Sequence, residues 1–448
     1  MRGFRVTRAR AAVVATVVSG AMMCAPALLW AQGIDSAPPP PGVSASLDSA
    51  RAVRGVGLSV ALYTYGPGPE VFERFGHVAL VIRDSVRGTD VAFNWGLFDF
   101  AQPHFLTNFL TGDTKYWMAG ARATDFNAYY VSQDRSIRRQ ELALPPVERA
   151  ALFDFVAWNA TEAHKYYRYD YYADNCATRI RDLLDRVLGG QIKTAFADAG
   201  GGRTWRGETA RITETNLPVL AGIEVALGRH ADQTLTRWEE AFLPEHLANH
   251  LNTLVLRDQF GGSYKLVSLD TVMATSTRVP IPTEPPVLLV PAALVGFTLA
   301  GLLAVLADAK ARGARAVLAV TVALWYGVGG VLGTLLLLAG TVTKHAPYMG
   351  ANTTLLQLHP LLLVAAIAVP VALVRGMRSR TAVGVSLTIA LLALSGALVQ
   401  LVPTLRQASG VVLAVTIPVH VALAIAVWRL ERAQPSHRSS PGALARAA

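Results

Sequence analysis

Tyr171-Tyr172-Ala173-Asp174-Asn175-Cys176-Ala177-Thr178-Arg179-Ile180-Arg181-Asp182-Leu183-Leu184 is the stretch around which the chain organises itself. Its pattern is helical. Asp174 suits an N-cap, Ile180, Leu183, Leu184 and Val187 keep 3.6-residue spacing, and Gly189-Gly190 supplies a stop. Cys176 then falls in the first turn and points along the inward face. Free backbone N–H groups and the positive end of the helix dipole favour a thiolate there, which predicts a lowered thiol pKa. The plain alternative is a small buried core residue.

Working outward, the composition is not that of one soluble block. Of 448 residues, 52% are hydrophobic and only 16% charged, and the apolar runs gather after about residue 285. Five of these runs, at 287–307, 316–340, 360–374, 382–402 and 410–428, read as membrane spans; the third is short and contains Pro370. With the front half outside, Lys310, Arg312, Arg315, Arg375, Arg378, Arg380, Arg429 and Arg432 all face the cytoplasm. The outer loops hold only Lys344 and Arg406. The positive-inside rule supports that orientation independently.

Residues 1–31 read as a secretory signal peptide, or as an uncleaved anchor, and either one exports the front half of the chain. The formal charge of +10 includes Arg2, Arg5, Arg8 and Arg10 of this leader, so it is no sign of a polyanion partner. With no zinc-finger spacing, no phosphate-cradling glycine loop and no basic stripe on a soluble face, the sequence disfavours nucleic-acid binding. The cysteines are Cys24, in the leader, and Cys176. Structural cysteines in an oxidising compartment come in pairs, so a single exported thiol reads as a nucleophile.

In order, 32–55 reads as a Pro-rich extended linker, 56–200 as an exported catalytic domain, and 201–285 as a helical accessory region. The membrane domain occupies 286–430, with a cytoplasmic tail at 431–448. Residues 57–65 read as a strand, and 78–82 and 91–95 as a hairpin. If it turns near Val86, His77 comes close to the 94–96 end of the neighbouring strand. Pro145-Pro146 opens a helix with Leu152, Phe155 and Val156 on one face. His246 and His250 have i, i+4 spacing, but Leu247 stands where the metalloprotease motif needs glutamate. They read as two surface histidines. No metal and no cofactor is expected.

A cysteine nucleophile needs a base and a group that orients the base. His77 is the best placed of the histidines, with Asn94 on the next strand to hold its second ring nitrogen; Asp99 is a weaker choice. Alone, His77 would be a hydrogen-bonded strand-end histidine. His345 and Asn352, in the loop 341–359, lie on the same side of the membrane as Cys176. They serve either ordinary loop solvation or the holding of a headgroup or acceptor.

The runs Glu73-Arg74-Phe75-Gly76-His77-Val78-Ala79-Leu80, Phe93-Asn94-Trp95-Gly96-Leu97-Phe98-Asp99-Phe100 and Tyr169 to Arg179, with Trp238-Glu239-Glu240-Ala241-Phe242-Leu243-Pro244, resemble the Lnb family of bacterial lipoprotein N-acyltransferases. In its order of His then Cys the domain also resembles circularly permuted papain-like and NlpC-type folds. The resemblance implies an α+β fold: a permuted papain-like periplasmic domain followed by an all-α membrane bundle of about five helices, in the bacterial inner membrane. It implies a cysteine acyltransferase with Cys176 as nucleophile and His77 as the histidine, a phospholipid acyl donor and a diacylated lipoprotein acceptor. Glu73, Asn175 and Arg179 match motif positions, and Arg179, one turn after Cys176, could meet a phosphate. Two other readings stay open: a membrane-anchored NlpC-like cysteine peptidase or amidase acting on cell-wall peptides, and a non-catalytic assembly or transport factor with an inert Cys176.

Overall fold

A computed structural model of the chain describes residues 45–198, 200–258, 260–309, 312–375 and 379–433. The leader, the Pro-rich stretch to residue 44 and the tail from residue 434 lie outside the described residues. From Ala50 on, the chain forms one unit.

The front half is built on an antiparallel sheet. Its strands are β1 (Leu58–Tyr65), β2 (His77–Asp84), β3 (Thr89–Leu97), β4 (Lys115–Arg122), β5 (Ile137–Leu142), β6 (Tyr166–Arg168) and β9 (Val267–Ala274), in the order β6-β4-β3-β2-β1-β5-β9. A separate ribbon pairs β7 (Val255–Arg257) with β8 (Ser263–Lys265). Alternation decides the two faces. Val60, Leu62, Val78, Leu80, Ile82, Phe93 and Trp95 pack with α4 (Pro146–Asn159), α5 (Cys176–Val187) and α8 (Pro244–Asn252) in the main core. Ala61, Tyr63, Tyr65, Ala79, Val81 and Ala92 form a second layer under α3 (Ala123–Ser132). Truncating a fully buried side chain such as Leu80 should cost about 2–5 kcal/mol.

Two boundaries differ from the sequence reading. The stretch expected to be extended linker ends in a helix, α1 (Ala45–Val56), whose Arg51 and Arg54 pair with Asp154 of α4 at 3.2 and 2.6 Å. The region 201–285 is no helical appendage, because β9 pairs with β5 and completes the sheet, while Leu247, Ala248 and Leu251 of α8 enter the main core. Lying at the sheet edge, β9 exposes most of its side chains, so it carries no alternation for a sequence reading to find.

Among the described residues five helices are long and apolar enough to cross a membrane: α9 (Leu289–Asp308), α10 (Arg312–Val342), α11 (Leu361–Arg375), α12 (Arg380–Val399) and α13 (Gly410–Ala433). They coincide with the five expected runs. The third span gains length from a 3-10 turn at Thr353–Leu356 ahead of α11. The two loops expected outside are also the ones that meet the front half. Gly228 N–H donates to the Tyr348 carbonyl at 2.7 Å, Asn352 Nδ2 to the Val225 carbonyl at 3.0 Å, and Gln407 Nε2 to the Leu227 carbonyl at 3.2 Å. Packing and charge distribution therefore give the same orientation.

Candidate active site

The β2–β3 hairpin closes at Asp84↔Thr89, centred near Val86 as expected. Toward its other end the ladder stops at Leu80↔Phe93, so His77 to Ala79 pair only with β1 while Asn94 to Leu97 pair only with β4. The strands part there. β3 also bulges between Trp95 and Leu97 at Gly96, whose φ of 95° is a conformation that favours glycine. A Cβ on Gly96 would lie 3.8 Å from the Cβ of Cys176 and 3.8 Å from the Tyr169 ring. The start of α5 is thus set at the opening between the two strands.

Asn175, not Asp174, caps α5. Its side-chain oxygen accepts from Ala177 N–H (2.8 Å) and Thr178 N–H (3.0 Å), and Thr178 Oγ1 accepts from Asn175 N–H (2.7 Å), which closes a capping box. Asn175 Nδ2 also donates to the Tyr171 and Phe242 carbonyls at 2.9 and 3.0 Å. Every polar atom of that side chain is used to fix the backbone that presents Cys176. Asp174 instead grips Arg179, at 2.5 and 2.7 Å, while the guanidinium lies 3.8 Å over the Tyr167 ring. Arg179 therefore has its partner already.

The thiol is buried among core side chains. Burial pushes its pKa up to about 11, against the N–H groups of Val78, Ala177 and Cys176 and the charge of Arg135, which all pull it down. This corrects the expectation of a lowered pKa: the helix terminus acts in the anticipated direction, but desolvation outweighs it. His77 shifts the other way, down to about 4, through burial first and the nearby Arg135 second, with Asn94 favouring the charged ring. At neutral pH the resting pair is thiol and neutral imidazole.

The His77 ring stacks with Tyr130 (6.1 Å between centroids, 7° between planes) and Tyr65 (6.3 Å), on the α3 side of the sheet. Cys176 lies on the α5 side, against the backbone of Val78, the residue after His77. Among the described residues no hydrogen bond joins them. Asn94 Nδ2 donates to the Ala119 carbonyl at 3.2 Å, and its Oδ1, near the His77 ring, makes no hydrogen bond of its own. Asp99 is occupied with Ala101 N–H at 2.8 Å and orients nothing in the cleft.

Arg135 is the residue that sequence reading misses. Asp134-Arg135-Ser136 looks like a solvated turn, yet Arg135 is only 4% exposed. Its Nε donates to the Gly66 carbonyl at 2.7 Å, its Nη1 lies 3.6 Å from Glu73, and its guanidinium lies 4.6 Å over the Tyr130 ring. Its Nη2 has no partner. Glu73 thereby acquires a place, as the carboxylate behind this buried cation.

Residues 48–207, which hold this cleft, match the family model described as Lnb N-terminal periplasmic domain. The front domain of this chain is thus similar to the periplasmic domain of the Lnb family. Neither the curated proteins nor the solved structures give a match. With a periplasmic front domain and, among the described residues, five apolar helices behind it, the chain is a multi-pass membrane protein.

The remaining candidates lie away from the cleft. His345 sits at the junction of the front domain with the outer loop, where Nε2 meets the Phe109 carbonyl at 2.9 Å and Nδ1 the Tyr171 hydroxyl at 3.4 Å. Asn352 is buried and structural: it bonds the Val225 and Ala226 carbonyls, Thr354 N–H and Gln407. His246 and His250 are not surface residues. Each is held by a carboxylate, Glu208 at 2.8 Å and Glu240 at 2.9 Å, because both face the layer formed with α6 (Trp205–Thr213). Among the described residues no group of three or more His, Cys, Asp or Glu side chains comes together as a metal site.

Proposed function

We propose that the chain is a cysteine acyltransferase of the bacterial inner membrane, which moves a fatty acyl chain from a phospholipid through a Cys176 thioester to the N-terminal amine of a diacylated lipoprotein. What carries the reading is the aromatic track that leads to the thiol from the membrane side of the domain. Phe109, Phe105 and Phe98 follow one another at 6.4 and 6.0 Å between centroids, then Tyr116 at 5.0 Å and Tyr169 at 4.2 Å, and Tyr169 borders the same Gly96 as Cys176. Such an apolar wall suits contact with an acyl chain, and hydrolysis of a soluble cell-wall peptide has no need of it.

The chemistry is set by the resting charges. Because the thiol and imidazole are both neutral, His77 takes the thiol proton as sulfur attacks the ester carbonyl, acting as a general base. The two groups lie to either side of the opening between β2 and β3, so in this scheme the imidazole turns into that opening to reach the thiol when substrate binds. N–H groups around the sulfur stabilise the charge that develops. Collapse of the tetrahedral adduct breaks the ester C–O bond, and the lysophospholipid leaves with the proton from His77. The lipoprotein amine then attacks the thioester, its proton passes by way of His77 to the sulfur, and an amide and free thiol result. In this scheme Asn94 orients the ring, the permuted papain-like order of His and Cys is kept, and Glu73 acts through Arg135.

One observation favours an inert cysteine: the thiol is buried and its pKa is raised. The deciding experiment is the intact mass of the purified protein after incubation with phospholipid and no acceptor, comparing wild type with Cys176→Ser. A hydroxylamine-sensitive gain of one acyl chain on wild type alone is expected. No gain, together with peptide cleavage in purified cell wall, would replace the acyltransferase with a peptidase. No gain and no thiol labelling would leave an inert cysteine.

A further inference from the structure

The track begins at an exposed apolar patch. Helix α2 (Phe105–Thr111) presents Leu106, Phe109 and Leu110 to solvent at 68%, 54% and 61% exposure, and Phe100 and Phe72 join them at 64% and 51%. Phe72 packs edge-on to Phe98 and Phe100, Phe100 to Phe105, and Phe105 stacks on Phe109, so these five phenylalanines form one connected aromatic collar. No Asp, Glu, Lys or Arg occurs between Asp99 and Asp113. A patch of this size left in water would be an aggregation liability, so its neighbours decide what covers it.

Those neighbours are the outer end of a membrane span. Helix α10 ends at Val342, and two residues later Lys344 N–H donates to the Thr111 carbonyl at 2.9 Å, its Nζ reaches Asp113 at 2.8 Å, and His345 meets the Phe109 carbonyl. The C-terminus of α2 therefore rests on the segment just past the end of α10, near the level where hydrocarbon gives way to headgroups.

We propose that α2 and its collar insert into the outer leaflet of the bilayer and form the portal through which a lipid acyl chain enters the track toward Cys176. The occupant is leaflet hydrocarbon. An uncharged apolar segment fixed beside a span is covered by lipid at little entropic cost, because the segment is already held in place. The portal role rests on the acyltransferase reading; the insertion does not.

The test uses the full chain in nanodiscs with Cys24 and Cys176 changed to serine, and an environment-sensitive fluorophore attached at Leu110→Cys or at Val86→Cys. Val86 lies in the hairpin turn, about 25 Å along β2 from the cleft end by strand rise. Insertion predicts that the Leu110 label is quenched by spin-labelled lipid and shielded from aqueous iodide, with the opposite at Val86. Iodide quenching of both labels alike would overturn it. In a chain with Cys176 intact, Leu106→Glu with Leu110→Glu should cut acyl transfer from vesicle phospholipid at least about tenfold and leave transfer from a water-soluble short-chain ester unchanged. Equal loss with both donors, or no loss with either, would overturn the portal. A lipid-quenched label in a protein whose wild type forms no thioester would instead keep the insertion and remove the acyltransferase.

Discussion

Two buried regions of the periplasmic domain are rich in polar side chains and use them in opposite ways. In the layer of α6 and α8 every major charge is answered. Arg206 holds Asp232 at 2.6 Å and the Leu227 carbonyl at 2.6 Å, Glu208 holds Arg211 and His246, and Glu240 holds His250. In the cleft, Arg135 Nη2 and Asn94 Oδ1 have no partner, and His77 lies among aromatic rings instead of beside a carboxylate. Unsatisfied buried polar atoms are costly, so a cation and an amide oxygen left without partners beside a thiol are groups the fold holds ready for something other than its own stability.

The largest effect should separate the regions outright. Cys176→Ser should lower acyl transfer by at least about 10³-fold, as loss of a nucleophile does, with the thermal midpoint unchanged. Glu208→Ala should do the reverse, lowering the midpoint because it leaves Arg211 and His246 buried without their carboxylate. A Cys176→Ser variant that keeps activity, or that unfolds, would erase the distinction.

Next comes Arg135. Its charge lowers the pKa of both Cys176 and His77, so Arg135→Gln should raise both. The acid limb of the pH–rate profile, set by protonation of His77 near pH 4, should move upward, and activity near neutrality should fall as the thiol becomes harder to ionise. Arg135→Lys, which keeps the charge, should restore the limb. A stability loss with the limb unmoved would make Arg135 merely structural.

Asn175→Ala sharpens the same contrast from the positioning side. Removing a cap typically costs about 0.5–2 kcal/mol, and here two further hydrogen bonds go with it, so the upper end is expected. Thermal melts should show it, with activity falling in step as Cys176 loses its placement. Unchanged stability would mean that Asp174 takes over the cap.

Much of this is legible in the sequence for physical reasons, and the rest is hidden for physical reasons. Membrane spans and the β2–β3 hairpin announce themselves through apolar length and alternation, and Cys176 through being the single exported thiol. The cap lies one residue from its expected place because Asp174 and Asn175 are both good caps, and Asp174 is taken by Arg179 five residues on while the distant Phe242 carbonyl helps fix Asn175. The thiol pKa shifts against the expected sign because dipole and N–H groups are local features while burial is not. Arg135, His246 and the edge strand β9 escape a sequence reading for one reason. Burial of a polar side chain, or pairing of an exposed strand, depends on what the rest of the chain brings over it, which local pattern cannot supply.

Acid titration offers the finest test of the comparison. His77 has its pKa lowered from 6.5 to about 4, mainly by burial, so the stability it lends is full above pH 6.5 and declines as pH falls toward 4. Glu208 is raised by burial but brought lower overall, from 4.5 to about 2, by hydrogen bonds from His246 and Arg211. Its contribution is full above pH 4.5 and lost between 4.5 and 2. Each group accounts for at most about 1.4 kcal/mol per pH unit within its own window. The thermal midpoint of the wild type should therefore begin to fall below pH 6.5, in the cleft, before the helical layer responds. His77→Gln should flatten the curve between pH 6.5 and 4 and leave the steeper drop below 4.5, while Glu208→Gln should do the converse. If both variants flatten the same window, the two regions unfold as one electrostatic unit and the contrast between an uncommitted cleft and a neutralised layer does not describe the protein.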